Sequence, residues 1–164
     1  MRCSRTPTTR LARMLKAPWC VGIKIHPEEH AYRIADHGEE LFSFFEETGA
    51  AVMTHSGCPN SLPEDFVPFA DRHPGARVLL AHLGNGNGAG GRVDLQVRAI
   101  QAAKQGNLWV DTSSARSILP GLVEWAVREL GAEKVLFAAI RRSTTWRCTA
   151  RASRRRSCRM QPSA

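Results

Sequence analysis

Ala51-Val-Met-Thr-His55-Ser-Gly57 and Arg77-Val-Leu-Leu-Ala-His82-Leu-Gly84 decide the fold. Each is a short apolar run that ends on a histidine, with a glycine two residues later. A continuous apolar run bounded by turn residues reads as a strand buried on both faces. Such strands belong to parallel sheets covered by helices. In α/β enzymes the ligand sits beyond the carboxyl ends of the strands, where both histidines fall. One such ending could serve a core or a cap. Two in succession point to a shared site.

The flanking sequence repeats the pattern. Cys20-Val-Gly-Ile-Lys-Ile-His26 reads as a strand stopped by Pro27, with Lys24 and His26 on one face by alternation. A helix is predicted over Gly38–Gly49, with Leu41, Phe42, Phe44 and Phe45 as its apolar face and Gly49 as its end. Glu64 and Asp65 suit the N-terminus of a second helix that runs to about Arg72. Val93, Val97 and Ile100 mark a third, ending near Gly106, and a fourth runs from about Ser117 to Leu130. Asn107-Leu-Trp-Val-Asp111 and Lys134-Val-Leu-Phe137 supply the remaining strands, and Leu11, Met14 and Leu15 suggest a short helix before Pro18. Alternating strands and helices predict a parallel sheet with right-handed crossovers. The 164 residues suit one domain but fall short of a complete (β/α)8 barrel, which takes about 250. The expected division is a partial N-terminal segment (1–19), the α/β unit (20–137) and a basic tail (138–164).

Composition narrows the class. Hydrophobic content of 43% supports a real core, and no run reaches the length of a membrane span or forms a secretory signal. The five cysteines are odd in number and form no CxxC pair, so they read as free thiols in a reducing, cytoplasmic setting. The net charge of +8 is carried by the tail: eight Arg and no acid follow Phe137, which leaves 15 Lys+Arg against 15 Asp+Glu before it. A nucleic-acid function would have to rest on that Arg-rich tail alone.

His55 and His82 are the leading candidates for chemistry, because neutral imidazole ligates zinc and similar ions and adjacent parallel strands bring their ends together. Lys24, at the preceding strand end, could bind an anionic substrate beside His26, or both could be surface groups. Asp111 could orient a histidine from behind, or cap the turn into Thr112 and Ser113, the commoner role. His30, His37 and His73 are expected in solvent. Cys58 is expected to be incidental, since no base stands next to it in sequence. Gly86-Asn-Gly88-Ala-Gly-Gly91 fits G-x-G-x-x-G in a glycine-rich, flexible loop, with Asp111 about twenty residues on, so a dinucleotide-binding domain is the alternative.

Taken together, Gly22-Ile-Lys-Ile-His-Pro27, Val52-Met-Thr-His-Ser-Gly57, Val78-Leu-Leu-Ala-His-Leu-Gly84, Asn107-Leu-Trp-Val-Asp-Thr-Ser-Ser114 and Gly131-Ala-Glu-Lys-Val-Leu-Phe137 resemble the amidohydrolase-related family of metal-dependent hydrolases. The branch in question includes decarboxylases of aromatic or small carboxylic acids. The resemblance implies a partial TIM-type barrel made of its last five β/α units. It implies that His55 holds a divalent metal, zinc first, and that His82 contacts the metal, its water or the substrate and moves a proton. It implies a small-molecule substrate, a carboxylic acid in the first instance.

Two family elements are missing. Nothing in residues 1–19 matches the family's His-x-His strand, and Phe137 is followed by Ala138-Ala-Ile-Arg-Arg142 where the family has Phe-Gly-(Ser/Thr/Gly)-Asp-x-Pro. A fragment with impaired activity and exposed, self-associating strand edges is therefore expected. The loss of acids after Phe137 also suggests a frame-shifted or disordered tail. Ala138-Ala-Ile-Arg141 is encoded by GCN GCN ATH CGN, and one added G lets the frame read Gly-Gly-Asp-Pro when the open third positions are G, G and C.

Overall fold

A computed structural model describes residues 13–18, 20, 22–113 and 119–138 of the chain. Five strands, β1 (Gly22–Ile25), β2 (Ala51–His55), β3 (Arg77–Ala81), β4 (Leu108–Asp111) and β5 (Val135–Leu136), form one sheet in sequential order. All four pairings are parallel. Four helices alternate with them: α1 (Ile34–Thr48), α2 (Pro63–Arg72), α3 (Leu95–Ala102) and α4 (Leu122–Leu130). Sequential order with right-handed crossovers puts every helix on one face, the arrangement of a partial TIM-type barrel. The described strands form an open sheet, not a closed barrel. No described helix is long and apolar enough to cross a membrane.

The core lies between helices and sheet. Phe42, Phe45 and Phe66 come from the helices, and Val52, Val78, Leu80, Leu108 and Val110 from the strands. The central runs are buried on alternate residues, and Leu83, just beyond β3, is fully covered as well. Gly38 lets α1 approach α2, since a Cβ there would overlap the Phe69 ring. Phe42 is 0% exposed, so Phe42→Ala is expected to cost about 3–5 kcal/mol, read as a lowered urea midpoint with an unchanged slope.

Several boundaries differ from those read in the sequence. Helix α1 starts at Ile34, not Gly38, because Ile34 is buried and its N–H donates to the Asn60 carbonyl at 3.0 Å. Helix α4 starts at Leu122, after Pro120 and a left-handed Gly121 (φ 78°), not near Ser117. Gly49 ends α1 as expected, with φ 62° and its N–H on the Glu46 carbonyl. His73 is not a solvated side chain. Its ring nitrogens lie 3.0 Å from Glu46 and 3.2 Å from Glu39, and the group ties α1 to the end of α2. His30 and His37 are exposed, as expected. The tail, with its disorder, frame-shift and nucleic-acid readings, lies outside the described residues apart from Ala138.

Candidate active site

Register brings the strand ends to one level. Ile25 pairs with Thr54, so His26 follows at the height of His55. His55 pairs with Ala81, and Leu80 with Val110, so His82 and Asp111 arrive at the same end. The rings of His26 and His55 stack, with centroids 4.2 Å apart and planes at 14°. The His82 ring meets His55 edge-on at 4.9 Å. Three successive strand ends thus supply one row of imidazoles, and β4 supplies a carboxylate beside it.

His82 sits in left-handed backbone, φ 77°. For a residue with a Cβ that conformation costs of order 1–3 kcal/mol and persists only where its surroundings hold it. Asp111 does the holding. Its Oδ1 accepts the His82 N–H at 2.9 Å, and it also accepts the Ser113 N–H at 3.0 Å. Asp111 therefore caps the turn into Ser113 and holds the backbone of His82, while the His82 ring is oriented by the Ser113 carbonyl. It is fully buried, and its Oδ2 has no hydrogen-bond partner. His82 Nδ1 lies 2.9 Å from the Ser113 carbonyl oxygen. A carbonyl can only accept, so Nδ1 carries the proton and Nε2 keeps its lone pair for whatever enters the site.

The electrostatics follow from crowding. Burial, with His26, His82 and Lys24 as positive neighbours, pushes the His55 pKa down to about 4. Burial also lowers His82, against the pull of the Ser113 carbonyl and Asp111. Both rings are neutral at pH 7, the form that ligates metals and accepts protons. Lys24 is lowered by burial and raised by Asp111, but it is an exposed residue on the edge strand, so solvent screening limits the shift. It remains a cation facing the row.

His55 suits a divalent ion: it is neutral, and its Nδ1 is buried without a protein partner. A closed site is not in place, because no cluster of three or more His, Cys, Asp or Glu side chains able to hold a metal exists among the described residues.

Sequence reasoning missed the supports beneath the row. Ser56 Oγ donates to the Ala81 carbonyl at 2.6 Å, Asn85 Nδ2 to the Ser56 carbonyl at 2.6 Å and Gln96 Nε2 to the Asn85 carbonyl at 2.8 Å. Gln96 was the available signal, a polar residue between the apolar Leu95 and Val97, and it is fully buried. Cys58, with no base next to it in sequence, is brought by the loop to within 3.1 Å of His55 Nε2.

The glycine-rich loop is closed on itself and is not free. The Gly88 N–H donates to the Gly57 carbonyl at 2.8 Å, and the Ala89 and Gly91 N–H groups both donate to the Gly86 carbonyl at 2.9 Å. A dinucleotide site needs such N–H groups for the pyrophosphate and a helix that opens at the loop. Here α3 begins only at Leu95, and Asp111 is fully buried with its Oδ1 on His82 and Ser113. The geometry therefore gives no support to the dinucleotide alternative.

Comparison with known proteins bears on the fold and the family. No curated protein matches the chain. It is similar in fold to the structure of amidohydrolase 2 from Bifidobacterium longum subsp. infantis, with a TM-score of 0.54 and 21% identity over 75% of this chain. The chain spans about half of that protein, 48% of its length. The sequence model of the Amidohydrolase family matches residues 4–139, all five strands included, and the chain belongs to that family.

Proposed function

We propose that the chain acts as a metal-dependent hydrolase or decarboxylase on a small carboxylic acid, bound at the carboxyl end of its sheet. The row of His26, His55 and His82 beside the buried carboxylate of Asp111 carries this reading. Lys24 and His26 would meet the substrate carboxylate at the open edge of the row. His82, with its proton on Nδ1, would take or return a proton at Nε2. His55 would hold a divalent ion, zinc first, which supplies polarisation of a substrate oxygen and a more acidic water. With so few donors in place, ion binding is weak and activity impaired.

The cellular setting is proposed as cytoplasmic, in keeping with the free thiols of Cys20 and Cys58. Self-association is proposed through the open sheet edges, where Leu136 and Phe137 are 44% and 90% exposed. The functional test is an assay supplemented with zinc or cobalt, following CO2 release from hydroxybenzoates and hydrolysis of p-nitrophenyl acetate. Turnover that depends on the added ion and on His82 is expected. Absence of turnover, or turnover indifferent to both, would refute the reading.

A further inference from the structure

We infer that the imidazole row is polarised: the chain fixes His26 as a hydrogen-bond donor and His82 as an acceptor, so a carboxylate enters with its oxygens at the His26 end. This polarity rests on the proposed reading of Lys24 and His26 as the carboxylate end of the site. It adds the atom that donates, the groups that fix it and the end that is barred to an anion.

His26 is set by the turn that follows it. The Glu29 N–H donates to His26 Nδ1 at 3.3 Å. A backbone N–H can only donate, so Nδ1 keeps its lone pair and the proton of the neutral ring is on Nε2. The turn is held from two sides. Within it, the His30 N–H donates to the His26 carbonyl at 3.0 Å and the Tyr32 N–H to the Pro27 carbonyl at 3.1 Å. Across to the loop after β2, Glu28 Oε1 accepts the Asn60 N–H at 2.6 Å and Glu28 Oε2 accepts Asn60 Nδ2 at 3.1 Å. Glu28 is thus a positioning residue, because it anchors the turn whose peptide fixes the His26 tautomer.

His82 is set the opposite way. Its Nδ1 faces two oxygens of Ser113, the carbonyl at 2.9 Å and the hydroxyl at 3.2 Å. The single hydroxyl proton goes to Asp111 Oδ1 at 2.5 Å, so toward the ring the hydroxyl can only accept. Both contacts put the His82 proton on Nδ1 and leave a lone pair on Nε2. Among the described residues nothing is bonded to Nε2 of either ring, so both atoms are available to a ligand. His55 stands between the two rings, stacked on one and edge-on to the other. An anionic oxygen at the His26 end meets an N–H, with the exposed cation of Lys24 two residues back on the same strand. At the His82 end it meets a lone pair and is repelled, and only a group that brings its own proton is accepted.

Long-range proton–nitrogen NMR of the full chain, labelled with 15N-histidine and free of metal at about pH 8, where imidazoles are neutral, tests the polarity. Protonated and unprotonated ring nitrogens give separate shifts. His26 is expected to carry its proton on Nε2 and His82 on Nδ1, each as a single tautomer. The reverse tautomer at either ring, or averaging between the two, would overturn the polarity. Glu28→Ala is expected to let His26 average while His82 keeps its tautomer, and a folded variant with His26 unchanged would overturn the role of Glu28. Benzoate is the carboxylate probe. It is expected to shift His26 Nε2 and not His82 Nε2, His26→Ala to weaken its binding by about 10- to 100-fold, and His26→Gln, whose amide donates from the Nε2 position, to recover most of the loss. Benzoate that shifts His82 instead, that binds His26→Ala as tightly as wild type or that fails to bind would overturn the assigned orientation. The tautomers are read without metal or turnover, so a failed hydrolase assay would sink the proposed function and leave them standing.

Discussion

Gly57→Ala is expected to destabilise the protein by roughly 2–5 kcal/mol, the sum of a left-handed backbone and a steric overlap. Gly57 has φ 91°. A Cβ there would overlap the Asn85 carbonyl oxygen and lie 2.6 Å from its carbon. Asn85 cannot retreat freely, because Gln96 Nε2 holds that carbonyl and Asn85 Nδ2 holds Ser56. The loss is a large share of the roughly 5–15 kcal/mol that keeps a domain folded. Gly90→Ala is the control. It has φ 64° but open space where its Cβ would go, so only the backbone cost of about 1–2 kcal/mol applies. Urea unfolding of the two variants isolates the overlap, and equal midpoints would contradict the packing described around Cys58 and Asn85.

The second large effect is on turnover. His82→Ala removes the only imidazole of the row whose Nε2 is freed by a carbonyl partner on Nδ1. General acid–base catalysis by a placed histidine contributes about 10²–10⁴-fold, so kcat should fall by that factor while KM changes little. Alanine keeps the backbone N–H that Asp111 accepts, so the fold should survive the change. Circular dichroism controls for that. A variant with full activity would remove His82 from the reaction.

The order of elements was legible because apolar runs and glycine stops are local signals. Gly49 and Gly131 end α1 and α4 where their positions suggested. The strand-end histidines were legible for the same reason: parallel pairing turns their similar positions in sequence into neighbours in space. What stayed hidden depends on contacts across the chain. The start of α1 is set by Asn60, twenty-six residues away, and the bond from Asp111 to the His82 backbone by the left-handed turn there. Cys58 looked isolated because its partner precedes it by three residues, a spacing that only the loop geometry closes to 3.1 Å. The glycine-rich motif misled in the opposite way. Its pattern fits a phosphate loop, but hydrogen bonds within the motif and to Gly57 take up the N–H groups of Gly88, Ala89 and Gly91.

The lowered histidine pKa values make stability depend on pH. From pH 6.5 down to about 4 the unfolded chain takes up a proton that folded His55 refuses. The contribution of the neutral ring is therefore complete above pH 6.5 and is lost as the pH falls toward 4. That His26, His55 and His82 form one coupled site is tested most directly by an imidazole NMR titration of the full chain. His55 is expected to titrate near pH 4, and His82→Ala should raise that midpoint by removing a positive neighbour and some burial. A His55 midpoint near 6.5, unmoved by the loss of His82, would contradict the site.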